Sequence, residues 1–339
     1  MSRVLLLYAF TIALSAQSAP PAGTIVVSNM NDNTATLVDA ASGRTIATLP
    51  TGQGPHEVAI SHDGNTALVS NYGVRGTPGN SITVIDVRGA RVARTLELGE
   101  YKRPHGMAFF PGDTLAAVTS ETSGAVLVVD VRDGRVIDKL PSNGRATHML
   151  GLSSNGGRLV AANIADGTIS VIDPKHPGAA RTIRVASQPE GIAIAPDGET
   201  AWAGSNRDSV VLIVDLRSGQ VADTLHGFGL PYRMAVSPNG RTALVSDPVK
   251  SQIRIFDATT RRQQHVIDVP RDSVLGTAEV PGSPSPEGVA ISPDSRWAFV
   301  TLQGRNRVAT IDLARGVIVS LAPIGNWSDG VGFSKVVIR

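Results

Sequence analysis

A unit of about 42 residues recurs along this chain, the period at which four-stranded propeller blades stack. One anchor of the unit is a strand start of the form Pro-x-x-apolar-Ala-apolar, seen at Pro55–Ile60, Pro104–Phe109, Pro189–Ile194, Pro231–Val236 and Pro286–Ile291, with weaker copies at Thr147–Leu152 and Ser328–Phe333. The other is an aspartate closing an apolar run, at Asp39, Asp86, Asp130, Asp173, Asp215, Asp257 and Asp312. Each anchor occurs seven times, and dipeptides such as Asp63-Gly64, Asp197-Gly198 and Asn239-Gly240 lie between them, as tight hairpins demand. The expectation is an all-β chain, a seven-bladed β-propeller of four-stranded antiparallel blades.

The two ends of the chain say how the ring shuts. Three outer strands open it, near Thr24 to Ser28, Thr36 to Asp39 and Thr45 to Leu49, with no inner strand before them. The last inner strand, around Gly330 to Phe333, has no outer set behind it. Pairing the two completes the seventh blade and removes an exposed sheet edge. One domain is therefore expected over residues 24–339.

The units resemble the YVTN-repeat (YncE-like) propellers, in which a stretch such as Ile291-Ser292-Pro293-Asp294 through Trp297-Ala298-Phe299-Val300-Thr301 recurs and ends in a strand like Val84-Ile85-Asp86. The resemblance covers the mature chain and implies a cell-surface or periplasmic protein whose ligand the family does not name; one relative is associated with single-stranded DNA. As a WD40-like folding unit, the repeat speaks for fold more than for function.

Residues 1–18 read as a cleaved signal peptide: Arg3, an apolar run from Val4 to Leu14, then Ala16-Gln17-Ser18 as a cleavage site. The product is expected in the periplasm or outside the cell, with no membrane span. The chain has no cysteine, which excludes disulfides, thiolate metal sites, covalent c-type haem and a lipoprotein anchor. A net charge of +2, with arginines scattered rather than clustered, points to no strongly charged partner. A monomer is expected.

Residues just before the inner strands belong at the mouth of the central channel, and there the blades contribute His56, His105, His148, Glu190, Tyr232, Glu287 and Asp329, with Arg233 beside them. Imidazoles and carboxylates converging on one funnel suit a divalent transition metal, with His56, His105 and His148 as candidate ligands. The plainer reading makes these residues turn formers, and the expectation is no cofactor. Loops between second and third strands add Asn29, Asn71, Glu121, Asn163, Asn206, Asp247 and Gln303 to the same face. The seven aspartates of the second anchor, present in every blade, are assigned to turn architecture.

The stretch from Pro104-His105 to Ser120-Glu121 is similar to the lactonase and cycloisomerase propellers, where Pro-Arg-His is followed by Asn-Glu. Here His105 stands at that family's arginine and Ser120 at its asparagine. The resemblance implies His105, Glu121, His148 and Arg233 as catalytic candidates, with Arg103 or Arg233 replacing the missing guanidinium. Two insertions, Gly73 to Gly79 and Asp268 to Ser285, break the repeat on the loop face, where binding usually resides.

The first functional expectation is thus an exported binding or scaffold protein presenting its funnel and loop face to an unidentified small molecule, glycan or protein. The alternative is an enzyme in the funnel, a lactonase-like hydrolase or a metal-dependent oxidoreductase on His56, His105 and His148. Single-stranded nucleic acid ranks last, because the chain is 4% aromatic and nearly neutral.

Overall fold

Short apolar runs separated by hairpin turns fold into seven four-stranded antiparallel sheets in the computed structural model, which describes residues 20–271 and 278–339. The inner strands are Pro55–Ile60, Pro104–Phe109, Thr147–Leu152, Pro189–Ile194, Met234–Val236, Pro286–Ile291 and Ser328–Ser334. Ring closure follows the expected scheme: Thr24–Asn29 pairs with Ser328–Ser334, Ile25 opposite Phe333 and Val27 opposite Val331. The leader expected over residues 1–18 lies outside the described residues, as does the centre of the 268–285 insertion. No helix among the described residues is long and apolar enough to cross a membrane.

The core is seven interfaces rather than one. Each hydrophobic cluster joins the facing sides of two neighbouring blades; Leu68, Ile82 and Val84 of one blade, for example, meet Val118, Leu127 and Val129 of the next. Central strands bury both faces, which is why runs such as Leu115-Ala116-Ala117-Val118 read as continuously apolar instead of alternating. Ring closure uses the same device, with Ile25 and Val27 packed against Trp297 and Phe299.

The aspartates of the second anchor do cap turns in every blade. Asp39 accepts from the Ser42 N–H, Asp86 from Gly89, Asp130 from Arg132, Asp173 from Lys175, Asp215 from Ser218, Asp257 from Thr260 and Asp312 from Arg315. Gly73 to Gly79, expected as a loop, instead prolongs a hairpin. Gly73 pairs with Pro78 and Val74 with Thr77, around a two-residue tip in which Gly76 takes a positive φ of 84°.

Blades meet so tightly at the channel that glycine is required there. A Cβ on Gly288 would run into the carbonyl of Asp329, and one on Gly191 into that of Tyr232. Gly288→Ala is accordingly expected to destabilise the ring by about 1–3 kcal/mol, read from urea midpoints; an unchanged midpoint would mean that the blades are free to part.

Candidate functional site

The funnel residues are placed by two local devices. The first is a hydroxyl on the second strand of a blade. Ser28 donates to the carbonyl of His56, Thr119 to that of His148 (2.5 Å), Ser246 to that of Glu287 (2.7 Å) and Thr301 to that of Asp329 (2.9 Å). Each hydroxyl thus fixes the backbone of a funnel residue on the following blade.

The second device is a register shift at the start of the inner strand, between Pro55 and Val58, Pro104 and Met107, Thr147 and Leu150, Pro189 and Ile192, and Pro286 and Val289. Such a bulge breaks the strict alternation of side chains, so the residue after each funnel position is also turned out of the sheet pattern. Four blades have Gly106, Gly191, Gly288 or Gly330 there. One other carries Glu57, and in another Arg233 lies just ahead of an inner strand that has no shift; the two find each other across the channel, Arg233 Nε donating to Glu57 Oε1 at 2.9 Å.

The second-strand termini serve structure, not the funnel. Asn29 accepts from Gly325 N–H, Asn71 from Gly52 and Asp247 from Gly229 and Leu230, each tying down the loop that leads into an inner strand. In two blades serine takes this part: Ser120 donates to the Lys102 carbonyl and Ser205 to that of Ser187. The residues that follow, Glu121 and Asn206, reach the funnel groups instead.

A chain of ionic contacts crosses the funnel. Tyr72 OH donates to Glu121 Oε2 (2.5 Å), which lies 3.3 Å from His148 Nδ1. His148 Nε2 is 3.0 Å from Glu190 Oε1, which also accepts from Arg233 Nη1 at 3.0 Å. Asn206 Nδ2 donates to the other Glu190 oxygen at 3.3 Å. On the far side, His56 Nδ1 lies 2.6 Å from Asp329 Oδ2. Arg233 is thus buried, at 2% exposed, and Glu121 is tied into the funnel through Tyr72 and His148.

The three histidines pack ring against ring at tilted angles. The His105 ring centroid lies 4.3 Å from that of His56 and 3.6 Å from that of His148, with Tyr72 edge-on to His56 and His105. Arg103 sits over Tyr72 at 4.6 Å, next to the funnel but outside its ion pairs.

Burial and charge divide the labour among these groups. Burial opposes charge on His148, but Glu190 and Glu121 outweigh it and push its pKa up to about 9. Burial, then the neighbouring His148, His56 and Arg233, hold His105 well below the ordinary imidazole value, so it is neutral. Burial, reinforced by Asp329, makes Glu287 keep its proton well above the usual carboxylate range. For Glu190, burial is overridden by His148 and Arg233, which hold it ionised.

Several of these buried groups are left unsatisfied. His105, 0% exposed, has no hydrogen-bond partner for either ring nitrogen among the described residues, and Arg233 Nη2, Glu287 Oε2 and Asp329 Oδ1 are likewise unpartnered. His56, Glu57 and His105 bring one ligand atom each to within 4.8 Å of the others. His148 is not in that group, both its nitrogens being engaged by carboxylates. The sequence reading missed Glu57, Tyr72 and the exposed Glu279, whose N–H donates to Gln303. For Glu57 a signal existed, since it stands where most blades have glycine.

Beside Glu121 a groove of about 790 Å³ opens on the loop face, lined by residues 121–124, 141, 143–146 and Asp166. The funnel and this groove thus share one carboxylate.

Comparison with known proteins places the fold. Among solved structures, hydrazine synthase from Kuenenia stuttgartiensis is similar, with a TM-score of 0.69 and 17% identity over 90% of this chain and 99% of that one. A functionally unknown protein from Desulfotomaculum acetoxidans has a TM-score of 0.74 and 12% identity over 92% of this chain and 99% of its own. At such identities these likenesses show the propeller alone. No curated protein matches. The family model that matches, over residues 111–336, is that of the Cytochrome D1 heme domain, and a family named for haem weighs against the expectation of no cofactor. With two thirds of its length inside that match, the chain belongs to the Cytochrome D1 heme domain family.

Proposed function

We propose that the chain is an exported propeller whose central funnel binds a small hydroxycarboxylic acid. The observation that carries this reading is the set of orphaned, buried polar atoms on three successive blades: Arg233 Nη2, Glu287 Oε2 and Asp329 Oδ1. Ser285 Oγ donates to Glu287 Oε1 at 2.6 Å, so the proton that Glu287 retains is left for Oε2. Arg233 and Glu287 are then donors suited to a carboxylate, and Asp329 an acceptor suited to a hydroxyl. Buried charges with unsatisfied atoms reduce stability, and they persist where binding uses them.

The haem in the family's name does not fit the donors present. An axial imidazole needs a free nitrogen facing a slot wide enough for a macrocycle. His148 has both nitrogens engaged, and His105 is sandwiched between rings 3.6 and 4.3 Å away. The groove beside Glu121 has the volume, but no histidine, methionine or tyrosine lines it. The reading is therefore haem-free.

Within it, His148 carries a proton at neutral pH and serves as an acid and a charge partner, not as a base. Of His105 and His148, the neutral imidazole that lactone opening would need is His105.

Glu287→Met removes a donor that binding uses and a buried carboxyl that folding does not favour. The variant is expected to be at least as stable as the parent yet to lose the thermal shift caused by lactate. A ligand at a hundredfold excess over its Kd stabilises by about 2.7 kcal/mol, which differential scanning fluorimetry resolves. If lactate, glycolate and gluconate leave the melting temperature of the parent unchanged at millimolar concentration, the reading fails.

A further inference from the structure

The histidine side of the funnel poses a separate question from the arginine side. Arg233, Glu287 and Asp329 offer donors and acceptors for a small organic acid. His56, Glu57 and His105 offer lone pairs, and a lone pair buried without a hydrogen bond calls for a Lewis acid.

We infer that His56, Glu57 and His105 form a binding site for one divalent first-row transition-metal ion, held directly by two imidazoles and one carboxylate rather than by a macrocycle. The inference deepens the functional reading above and rests on it in taking the funnel as the working centre.

Three observations carry it. First, the three ligand atoms already lie within 4.8 Å of one another. Ligands 2.0–2.1 Å from a tetrahedral ion are about 3.3 Å apart, so modest side-chain rotation closes the set. Second, His105 is wholly buried and, among the described residues, unpartnered at both nitrogens, which leaves a polar ring in a protein interior with nothing to do. A metal bond satisfies one nitrogen and accounts for the burial of the ring. Third, each of the other two ligands is already oriented by a charged neighbour. Asp329 Oδ2 lies 2.6 Å from His56 Nδ1, and Arg233 holds Glu57 through Oε1 at 2.9 Å. Carboxylates behind ligating imidazoles are the usual outer layer of such sites, because they fix ring orientation and raise ligand basicity.

Two imidazoles and one carboxylate leave coordination positions for water or for an oxygen of the funnel ligand, the arrangement found in open rather than structural sites. His148 stays outside the set. It packs its ring on His105 at 3.6 Å while both nitrogens remain with Glu121 and Glu190.

Cobalt(II) is a suitable probe, because its visible absorption and paramagnetic shifts report the ligands themselves. Chelator-treated protein titrated with Co(II) is expected to bind one equivalent with visible bands of a four- or five-coordinate ion, and to shift the ring protons of two histidines. His105→Ala is expected to weaken binding on the order of 100-fold, whereas His176→Ala, a change at an exposed histidine on another blade, leaves it unaltered. Wild-type protein that binds no Co(II) at micromolar concentration overturns the inference, as does binding that shifts no histidine. Should His105→Ala fail to fold, the histidine shifts of the wild type decide alone. Lactate-induced thermal shifts measured in the same chelator-treated protein separate the two readings. Lactate binding without Co(II) binding removes the metal and spares the funnel ligand; the reverse removes the hydroxyacid and spares the metal.

Discussion

Arg233→Met is expected to destabilise the protein by about 3–5 kcal/mol, the largest effect of any single substitution outside the blade cores. The guanidinium is 2% exposed and bridges two carboxylates from different blades, Glu57 at 2.9 Å and Glu190 at 3.0 Å. Methionine fills much of the volume but leaves both acids buried without their cation. Their Coulombic gain is lost while the desolvation they suffered on folding remains, which is why breaking a buried pair is far worse than never building it. Urea denaturation checks the magnitude. The double variant Arg233→Met, Glu190→Gln should recover part of the loss, since it removes one of the stranded charges. A midpoint that does not move in the single variant would show that water solvates these carboxylates and that the funnel is not the dry, charged centre described above.

The second large effect is a pH dependence. His148 titrates near 6.5 when exposed and at about 9 in the folded chain, because Glu190 and Glu121 overcome the burial of the ring. A group whose pKa rises on folding stabilises the native state fully below its unfolded value and loses that contribution as the pH climbs to the folded one. The contribution of His148 is therefore complete below pH 6.5, declines between 6.5 and about 9, and is absent above. A shift of this size corresponds to about 3 kcal/mol at most. Unfolding free energies measured in chelator-treated protein should fall across that window, and His148→Gln should flatten the decline. An equal slope in the variant would assign the alkaline loss to other groups.

Much of the architecture was legible because a seven-fold repeat reports itself. Anchors repeated seven times give blade number, and the imbalance between an N-terminal outer set and a C-terminal inner strand gives closure. The funnel positions were legible for the same reason: His56, His105, His148, Glu190, Glu287 and Asp329 stand at one place in one unit. What periodicity could not supply was direction. Glu57 follows His56 in a strand, and strict alternation would point it away; the bulge that turns it into the funnel is a backbone property with no letter of its own. The clue was the contrast with Gly106, Gly191, Gly288 and Gly330 at equivalent places, where blades approach too closely for a Cβ. Tyr72 was hidden differently. It follows the loop-tying Asn71, as Glu121, already a candidate from the sequence, follows Ser120, and only the contacts of the fold separate the tie from the group it exposes.

Sequence also could not rank the histidines. Three at equivalent positions look alike, yet the fold gives them three environments: His56 against Asp329, His148 between two glutamates, and His105 between two rings with no partner. The difference arises from which neighbours the adjacent blades bring, a matter of residues far apart in the chain, such as Glu57 and Arg233.

A crystal structure of the chelator-treated protein with lactate decides whether the funnel is the binding site. Lactate is expected in the funnel, its carboxylate on Arg233 Nη2 and Glu287 and its hydroxyl on Asp329. Lactate on the outer loop face, or a funnel whose orphaned atoms are all satisfied by ordered water in its presence, would contradict that expectation.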